Sequence, residues 1–383
     1  MPTPQSSGRS PWAARIESAG RAIAGAVERA GTFWARVSEG MAANQLWGEF
    51  KAEARFSYDF YAQDVDWAAV DQHRGGKRKL YAARALAWAL LMKLSPSRRV
   101  FLLLTLAYVA IDFVASHADS GVLIASAALV LLLALELADR VTMKRDLEIA
   151  REIQRWLVPA APPEVAGIDL AFTTRPANTV SGDYYDAIPR EGGRLLLVVA
   201  DVAGKSIPAA LLMATIQASL RTLAASSAPL GEVVLGMNRY ACANSQGGLR
   251  FTTAFLGELE PATGALRYIN AGHNPPVLRR ATGGMERLEA GGLPLGVMAG
   301  ARYEEGAAVV AAGDLLVVFT DGVVEAENER QEEYGEPRLL ALVEAMRPAT
   351  AAEALKQVMV AVDGFVGHTR QHDDITALVL LRR

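Results

Sequence analysis

The 383 residues carry a formal net charge of −3 and 51% hydrophobic side chains, which gives no electrostatic case for nucleic-acid binding and leaves room for about two or three domains. The single cysteine, Cys242, excludes an internal disulfide and a thiolate metal cluster and fits a reducing compartment. Mean hydropathy is positive, so membrane segments come before fold.

Residues 1–94 are rich in Ala and Arg, with scattered Trp12, Trp34, Trp47 and Trp67. The stretch RIESAGRAIAGAVERAGTFWARV (15–37) has apolar residues at helical spacing beside a basic face. That pattern suits an amphipathic soluble helix and a helix lying on a membrane surface equally well. The opening MPTPQSSGRS leads into no continuous apolar core, so no cleavable signal peptide is expected.

Two apolar runs follow, VFLLLTLAYVAIDFVAS (100–116) and GVLIASAALVLLLALELA (121–138), each near the ~17–25 residues that cross a bilayer. Asp112 interrupts the first and Glu136 the end of the second, and a charge in lipid is costly. A pair of buried helices in a soluble domain is the alternative. Flanking charge favours the membrane: KLSPSRR precedes the first run and DRVTMKR follows the second, whereas the connecting HADS holds no Lys or Arg. The positive-inside pattern predicts a transmembrane hairpin over 95–139 with both ends cytoplasmic.

From 140 to 163 the sequence predicts a linker helix stopped by Pro159, Pro162 and Pro163. Met143, Leu147, Ala150, Ile153 and Leu157 form its apolar stripe. Such a stripe packs on its own domain or pairs with its copy in a homodimer and carries a signal.

Residues 164–383 change texture. Strand-like runs IDLAFTTRPA, DYYDAIP, RLLLVVADV, TTAFLGELEP, ALRYINAG, PPVLRRA, DLLVVFTDG and ITALVLLRR alternate with helical patterns at 207–225, 229–245, 336–346 and 351–367. Short turns such as Pro261-Ala262-Thr263-Gly264 join the strands, which predicts an α+β domain with antiparallel sheets.

Within LLLVVADVAGKSIPAALLMA (195–214), Gly204-Lys205-Ser206 looks like the tail of a phosphate-binding loop, but the position needing a second glycine is Val199, inside the strand. The aspartate is therefore the feature to explain. Acidic residues recur at strand ends: Asp183 and Asp186, Asp201, Asp321 before Gly322, and Asp373 with Asp374. A lone aspartate there is usually a turn former or cap. Several brought to one side of a sheet would repel, and a hard divalent cation with oxygen ligands relieves that repulsion.

The strings PANTVSGDYYD, VADVAGKSIPAALLM, FTTAF, INAGHNPP, FTDGVVEAEN and HDDITALVL stand in the order and spacing of the SpoIIE/RsbU-like branch of metal-dependent (PPM-type) protein serine/threonine phosphatases, and the sequence resembles that branch from about Leu147 to its end. The resemblance implies a PPM-type β-sandwich flanked by helices and two divalent cations, Mn²⁺ or Mg²⁺. It implies that Asp201 bridges both ions, that the Val202 carbonyl adds a ligand, that Asp183, Asp321 and Asp373 complete the set partly through water, and that Asp374 supports them. Two cations acidify a shared water for in-line attack on a phosphoserine or phosphothreonine and neutralise phosphoryl charge, so no enzyme nucleophile is needed. Ser181 and Ser206 then read as loop residues.

Arg175 and Lys205 are weak candidates for gripping or steering the phosphate. The histidine that follows the bridging aspartate in the eukaryotic branch is absent here, where Val202-Ala203-Gly204 stand. His273 reads as a turn-holding residue, and His368 with His372 lacks a third ligand for zinc. The resemblance further implies a bacterial inner-membrane enzyme with a cytoplasmic catalytic domain, acting on a phosphorylated STAS-domain (anti-anti-sigma) protein in partner switching. The competing reading is a catalytically inactive scaffold. A kinase lacks its glycine-rich loop.

Overall fold

In this computed structural model the described residues are Ala62, 65–72, 75–114, 120–204, 207–245 and 250–383. Lys205, Ser206, the 15–37 pattern and the HADS connection lie wholly or mainly outside them. The chain divides into two units between Leu137 and Ala138.

Helices α1 (Trp67–Asp71), α2 (Gly76–Lys93) and α3 (Pro96–Val114) belong to the first unit, and α4 (Ser120–Leu157) begins in it and ends in the second. Helix α4 runs without a break through the position where a hairpin was expected to give way to a separate linker helix. Its stretch from Val122 is long and apolar enough to cross a membrane, with Leu123, Val130 and Leu133 exposed. Glu136, the charge that spoils the second apolar run, pairs with Arg98: Nη1 donates to Oε2 at 3.0 Å and Nη2 to the Leu135 carbonyl at 3.1 Å. A partnered carboxylate at the end of an apolar helix costs far less than an isolated one.

The second unit is a four-layer α-β-β-α sandwich. One sheet orders β1 (Ile168–Arg175), β11 (Ile375–Arg382), β10 (Leu315–Phe319), β6 (Val277–Arg279) and β7 (Met285–Arg287). The other orders β2 (Asp183–Pro189), β3 (Leu195–Val202), β4 (Thr252–Leu259), β5 (Ala265–Ala271) and β8 (Gly291–Gly292), with β9 (Gly306–Val309) also on β5. All pairings are antiparallel except β5–β8. Helices α5 (Ile207–Ala224) and α6 (Leu230–Asn244) cover the second sheet. The short α7 (Asp321–Val324), α8 (Glu336–Ala345) and α9 (Ala351–Val366) cover the first. Helix α5 is also long and apolar enough for a membrane span, but it buries Met213, Ile216 and Leu220 under its sheet.

Strand β3 is buried on both faces because one side meets α5 and the other meets the opposite sheet. Its near-continuous apolar run is the signature of that double burial, as in any strand sandwiched between two layers. Between the sheets Leu197, Val199, Phe255, Leu316, Val318 and Leu378 interdigitate, and Phe172 meets Tyr185 with ring centroids 4.6 Å apart. The eight expected strands and four expected helices all form. Strands β7, β8 and β9 were not anticipated, being short and, in part, glycine-rich.

Candidate active site

Antiparallel pairing places Asp183, the first residue of β2, opposite Asp201 at the end of β3. On its other side Asp201 is paired with Thr253 of β4. The neighbouring sheet ends at the same place: β10 stops at Phe319, Thr320 donates its N–H to the Thr376 carbonyl at 3.0 Å, and Asp321 opens α7. The fully buried Thr320 joins the two sheets, its Oγ1 donating to Asp183 Oδ2 at 3.0 Å. Two backbone requirements shape the region. A Cβ on Gly322 would stand 2.0 Å from the Asp374 carbonyl oxygen, so only glycine lets α7 lie this close to the start of β11. Gly204, at φ +117°, turns the chain out of β3.

Asp374 holds the loop that delivers Asp183. Its Oδ1 accepts from the Ala177 N–H at 2.7 Å, and its Oδ2 accepts from Ser181 Oγ at 2.8 Å and the Gly182 N–H at 2.7 Å. Ser181 Oγ in turn accepts from the Asp183 N–H at 3.0 Å. Ser181 is thus a loop residue, as its position in the sequence implied. A Cβ on Gly182 would lie 3.2 Å from the Val202 carbonyl oxygen and 3.7 Å from Asp201 Oδ1, so that glycine keeps the approach to both oxygens open.

The charges here are unbalanced. Burial, then the charge of Asp201, pushes the Asp183 carboxyl well above the usual range. Burial, then the charges of Asp321 and Asp373, pushes Asp201 up to about 7, against a hydrogen bond with Asp183 that pulls it down. Among the described residues neither carboxylate has an ion-pair partner.

No three His, Cys, Asp or Glu side chains among the described residues close on one point tightly enough to cage an ion by themselves. The donor chemistry nonetheless fits hard cations whose shells include water and a carbonyl: carboxyl oxygens, mutually repelling and desolvated, beside the Val202 carbonyl oxygen.

Not every predicted residue takes its predicted part. Arg175 Nη1 donates to Asp363 Oδ1 at 2.5 Å, which ties up the charge proposed for phosphate. It still lines a cavity of about 210 Å³ beside Asp373 and Gly322, together with Arg370 and His372. Asp186, acidic and three residues from Asp183, is a core residue: it accepts from Tyr184 Oη at 2.5 Å and from Arg221 Nε and Nη2 at 2.8 and 3.0 Å. His273 is buried in its turn, with Nδ1 3.0 Å from Thr253 Oγ1 and its N–H donating to Asn270 Oδ1 at 2.7 Å. Burial depresses that imidazole to about 4, so it is neutral at physiological pH. Thr320 was missed, although it precedes Asp321 in FTDG. A hydroxyl in a strand end gives no separate signal until the partner strand is known.

The family described as Stage II sporulation protein E (SpoIIE) matches residues 191–383, just over half of the chain. The chain belongs to the SpoIIE family of PP2C-type phosphatases. This SpoIIE-type chain is 28% identical over 279 residues to Protein IcfG of Synechocystis, covering 66% of its own length and 43% of that protein. It is 29% identical over 245 residues to Phosphoserine phosphatase RsbU of Bacillus subtilis, covering 63% and 71%. The RsbU and RsbW domains of a Mycobacterium tuberculosis protein superpose with a TM-score of 0.51 at 25% identity, over 59% of this chain and 63% of that one. The SiaA-PP2C domain of Pseudomonas aeruginosa shares the fold at a TM-score of 0.56 and 19% identity, over 64% and 99%.

Proposed function

We propose that this chain is a membrane-anchored, metal-dependent protein serine/threonine phosphatase. The observation that carries the reading is the meeting of four strand ends, where Asp201 is raised to about 7 by burial and by the charges of Asp321 and Asp373. A structural cluster would be neutralised by arginines, whereas Asp183 and Asp201 have no ion-pair partner among the described residues and would be neutralised by cations. Asp183, Asp201, Asp321 and Asp373, with the Val202 carbonyl, are the residues that would hold Mn²⁺ or Mg²⁺ ions. Such ions acidify water and offset phosphoryl charge. Thr320 holds Asp183 against the first sheet, and Asp374 fixes the loop before it. Arg370 and His372 in the adjoining cavity face the side from which an anionic substrate would enter. Lys205 lies at the β3 exit, outside the described residues, where its charge suits steering.

The substrate we infer is a phosphorylated STAS-domain protein in a partner-switching pathway, because the similar RsbU is a phosphoserine phosphatase. The catalytic unit lies in the cytoplasm and the hairpin of α3 and α4 lies in the inner membrane, supported by the exposed apolar face of α4 and the flanking basic residues. Reporters fused after Gly40 and after Arg383 are expected to read cytoplasmic together; opposite locations overturn the hairpin. Homodimerisation of α4 through Ile149, Ile153 and Trp156, all exposed, completes the reading. The stripe expected from the sequence divides, for Leu147, Ala150 and Leu157 are half-buried.

The test is Mn²⁺-dependent phosphate release by the full chain in detergent, from p-nitrophenyl phosphate and from a phosphorylated STAS domain. Asp201→Asn is expected to lower turnover by about a thousandfold or more with the fold retained. Wild-type-like turnover in that variant overturns the assigned metal site, and no turnover in wild type leaves the scaffold reading.

A further inference from the structure

Helix α4 ends on the catalytic unit through two glutamines. Gln217, on α5, donates from Nε2 to the Leu157 carbonyl at 2.9 Å and so caps the helix end. Gln154, three residues earlier, uses both ends of its amide on one residue: Nε2 donates to the Ser181 carbonyl at 2.6 Å, and Oε1 accepts from the Ser181 N–H at 3.0 Å. That residue is the one whose Oγ accepts from the Asp183 N–H. A chain of three hydrogen bonds therefore runs from the linker helix to the backbone of the carboxylate at the centre of the site.

We propose that Gln154 is a positioning residue, setting the Ser181–Asp183 loop for metal binding according to how the linker helix is turned. The proposal rests on the phosphatase reading only in taking Asp183 as a ligand.

The geometry makes the contact sensitive to rotation. A helix turns about 100° per residue, so a rotation by one residue swings the amide away and breaks both bonds together. A cavity of about 110 Å³ lies beside the amide, bordered by Arg151, Arg155, Thr174 and Asp183, and gives the side chain room to swing. The opposite face of the helix exposes Ile149, Ile153 and Trp156, so whatever binds there acts on the same turn of helix that carries Gln154. Ser181 keeps its link to Asp374 when Gln154 leaves, which means the loop loosens without losing its other anchor. The two states differ by the two Gln154 hydrogen bonds, a gap small enough for a signal to reverse.

The experiment compares full-length wild type, Gln154→Ala and Gln154→Glu in detergent by amide hydrogen exchange without metal and by Mn²⁺ titration calorimetry. In Gln154→Ala, exchange at Ser181 and Asp183 is expected to rise about tenfold or more while β3 keeps wild-type protection. The Mn²⁺ dissociation constant is expected to rise about 10- to 100-fold, the usual loss when a partner that orients a ligand is removed. Gln154→Glu retains an acceptor for the Ser181 N–H, and protection there should survive. Unchanged exchange at Ser181 in Gln154→Ala overturns the proposal, as does a uniform rise that includes β3, which would make Gln154 a packing residue only. If wild type binds no Mn²⁺ and releases no phosphate, the phosphatase reading fails, and the exchange data separately decide whether Gln154 holds the loop.

Discussion

The two ends of the β2–β3–β4–β5 sheet hold carboxylates under opposite regimes. At one end Glu258, nearly inaccessible, accepts from Arg190, from Arg194 at 2.9 Å and from Arg267 at 2.8 Å. Burial works to raise its carboxyl, but hydrogen bonds and charge from Arg267, Arg190 and Arg194 outweigh it and hold the group below its usual range. At the other end, five residues along β3 and β4 by register, Asp201 and Asp183 face each other and are pushed up. The chain thus neutralises one acidic end with its own arginines and leaves Asp183 and Asp201 at the other without an ion-pair partner among the described residues, where the proposed cations would bind. Asp183 and Glu258 are equally buried in the same sheet, yet their carboxyls are pushed in opposite directions, and the difference lies in their partners.

That contrast can be broken from the structural end first. Glu258→Gln leaves Arg190, whose side chain is 1% exposed, without its counter-charge. The expected cost is about 3–5 kcal/mol, read as a fall in the denaturation midpoint. Arg190 also donates to the Ser226 and Ala228 carbonyls at 2.8 and 2.6 Å, so the turn between α5 and α6 should loosen with it. A variant as stable as wild type would mean that the arginine cluster is not what holds that end.

The acidic end responds with the opposite sign. A carboxyl raised in the folded state above its unfolded value of about 3.9 binds more protons folded than unfolded between those values. The stability it contributes is complete below about pH 4 and is lost as pH rises through its folded value, about 7 for Asp201. Metal-free Asp201→Asn should therefore melt higher than metal-free wild type, by a margin that grows from pH 5 to pH 8. A shift of about 2–4 °C corresponds to each kcal/mol in a domain of this size. A margin that shrinks over that range would contradict the crowding of carboxylates.

Much of this was legible in the sequence, for physical reasons that differ by element. Strand β3 shows itself as an apolar run because it is buried on both faces, and Asp201 stands out because it ends that run. The helices α5, α6, α8 and α9 follow their periodicity to within a residue or two. Residues that act through a distant partner were hidden. Asp186 looks like Asp183 until Arg221, 35 residues away, is folded against it. Arg175 looks free until Asp363 arrives from 188 residues away. Glu136 reads as a flaw in a membrane run because Arg98 lies on the other helix. The linker stripe was read as one face, and the structure divides it, with Leu147, Ala150 and Leu157 half-buried, Met143 and Ile153 exposed, and Gln154, a polar residue the pattern passed over, bonded to Ser181.

The central claim, that the acidic end is completed by divalent cations, is tested most directly by the protons that metal binding displaces. Mn²⁺ titration calorimetry of the full chain at pH 6.5, repeated in buffers of different ionisation enthalpy, counts them. With Asp201 raised to about 7, binding should release about one proton per chain, fewer as pH rises, and both affinity and proton release should fall in Asp201→Asn. Binding whose heat is independent of buffer, or equal affinity and equal proton release in Asp201→Asn, would place the ions elsewhere and contradict the account.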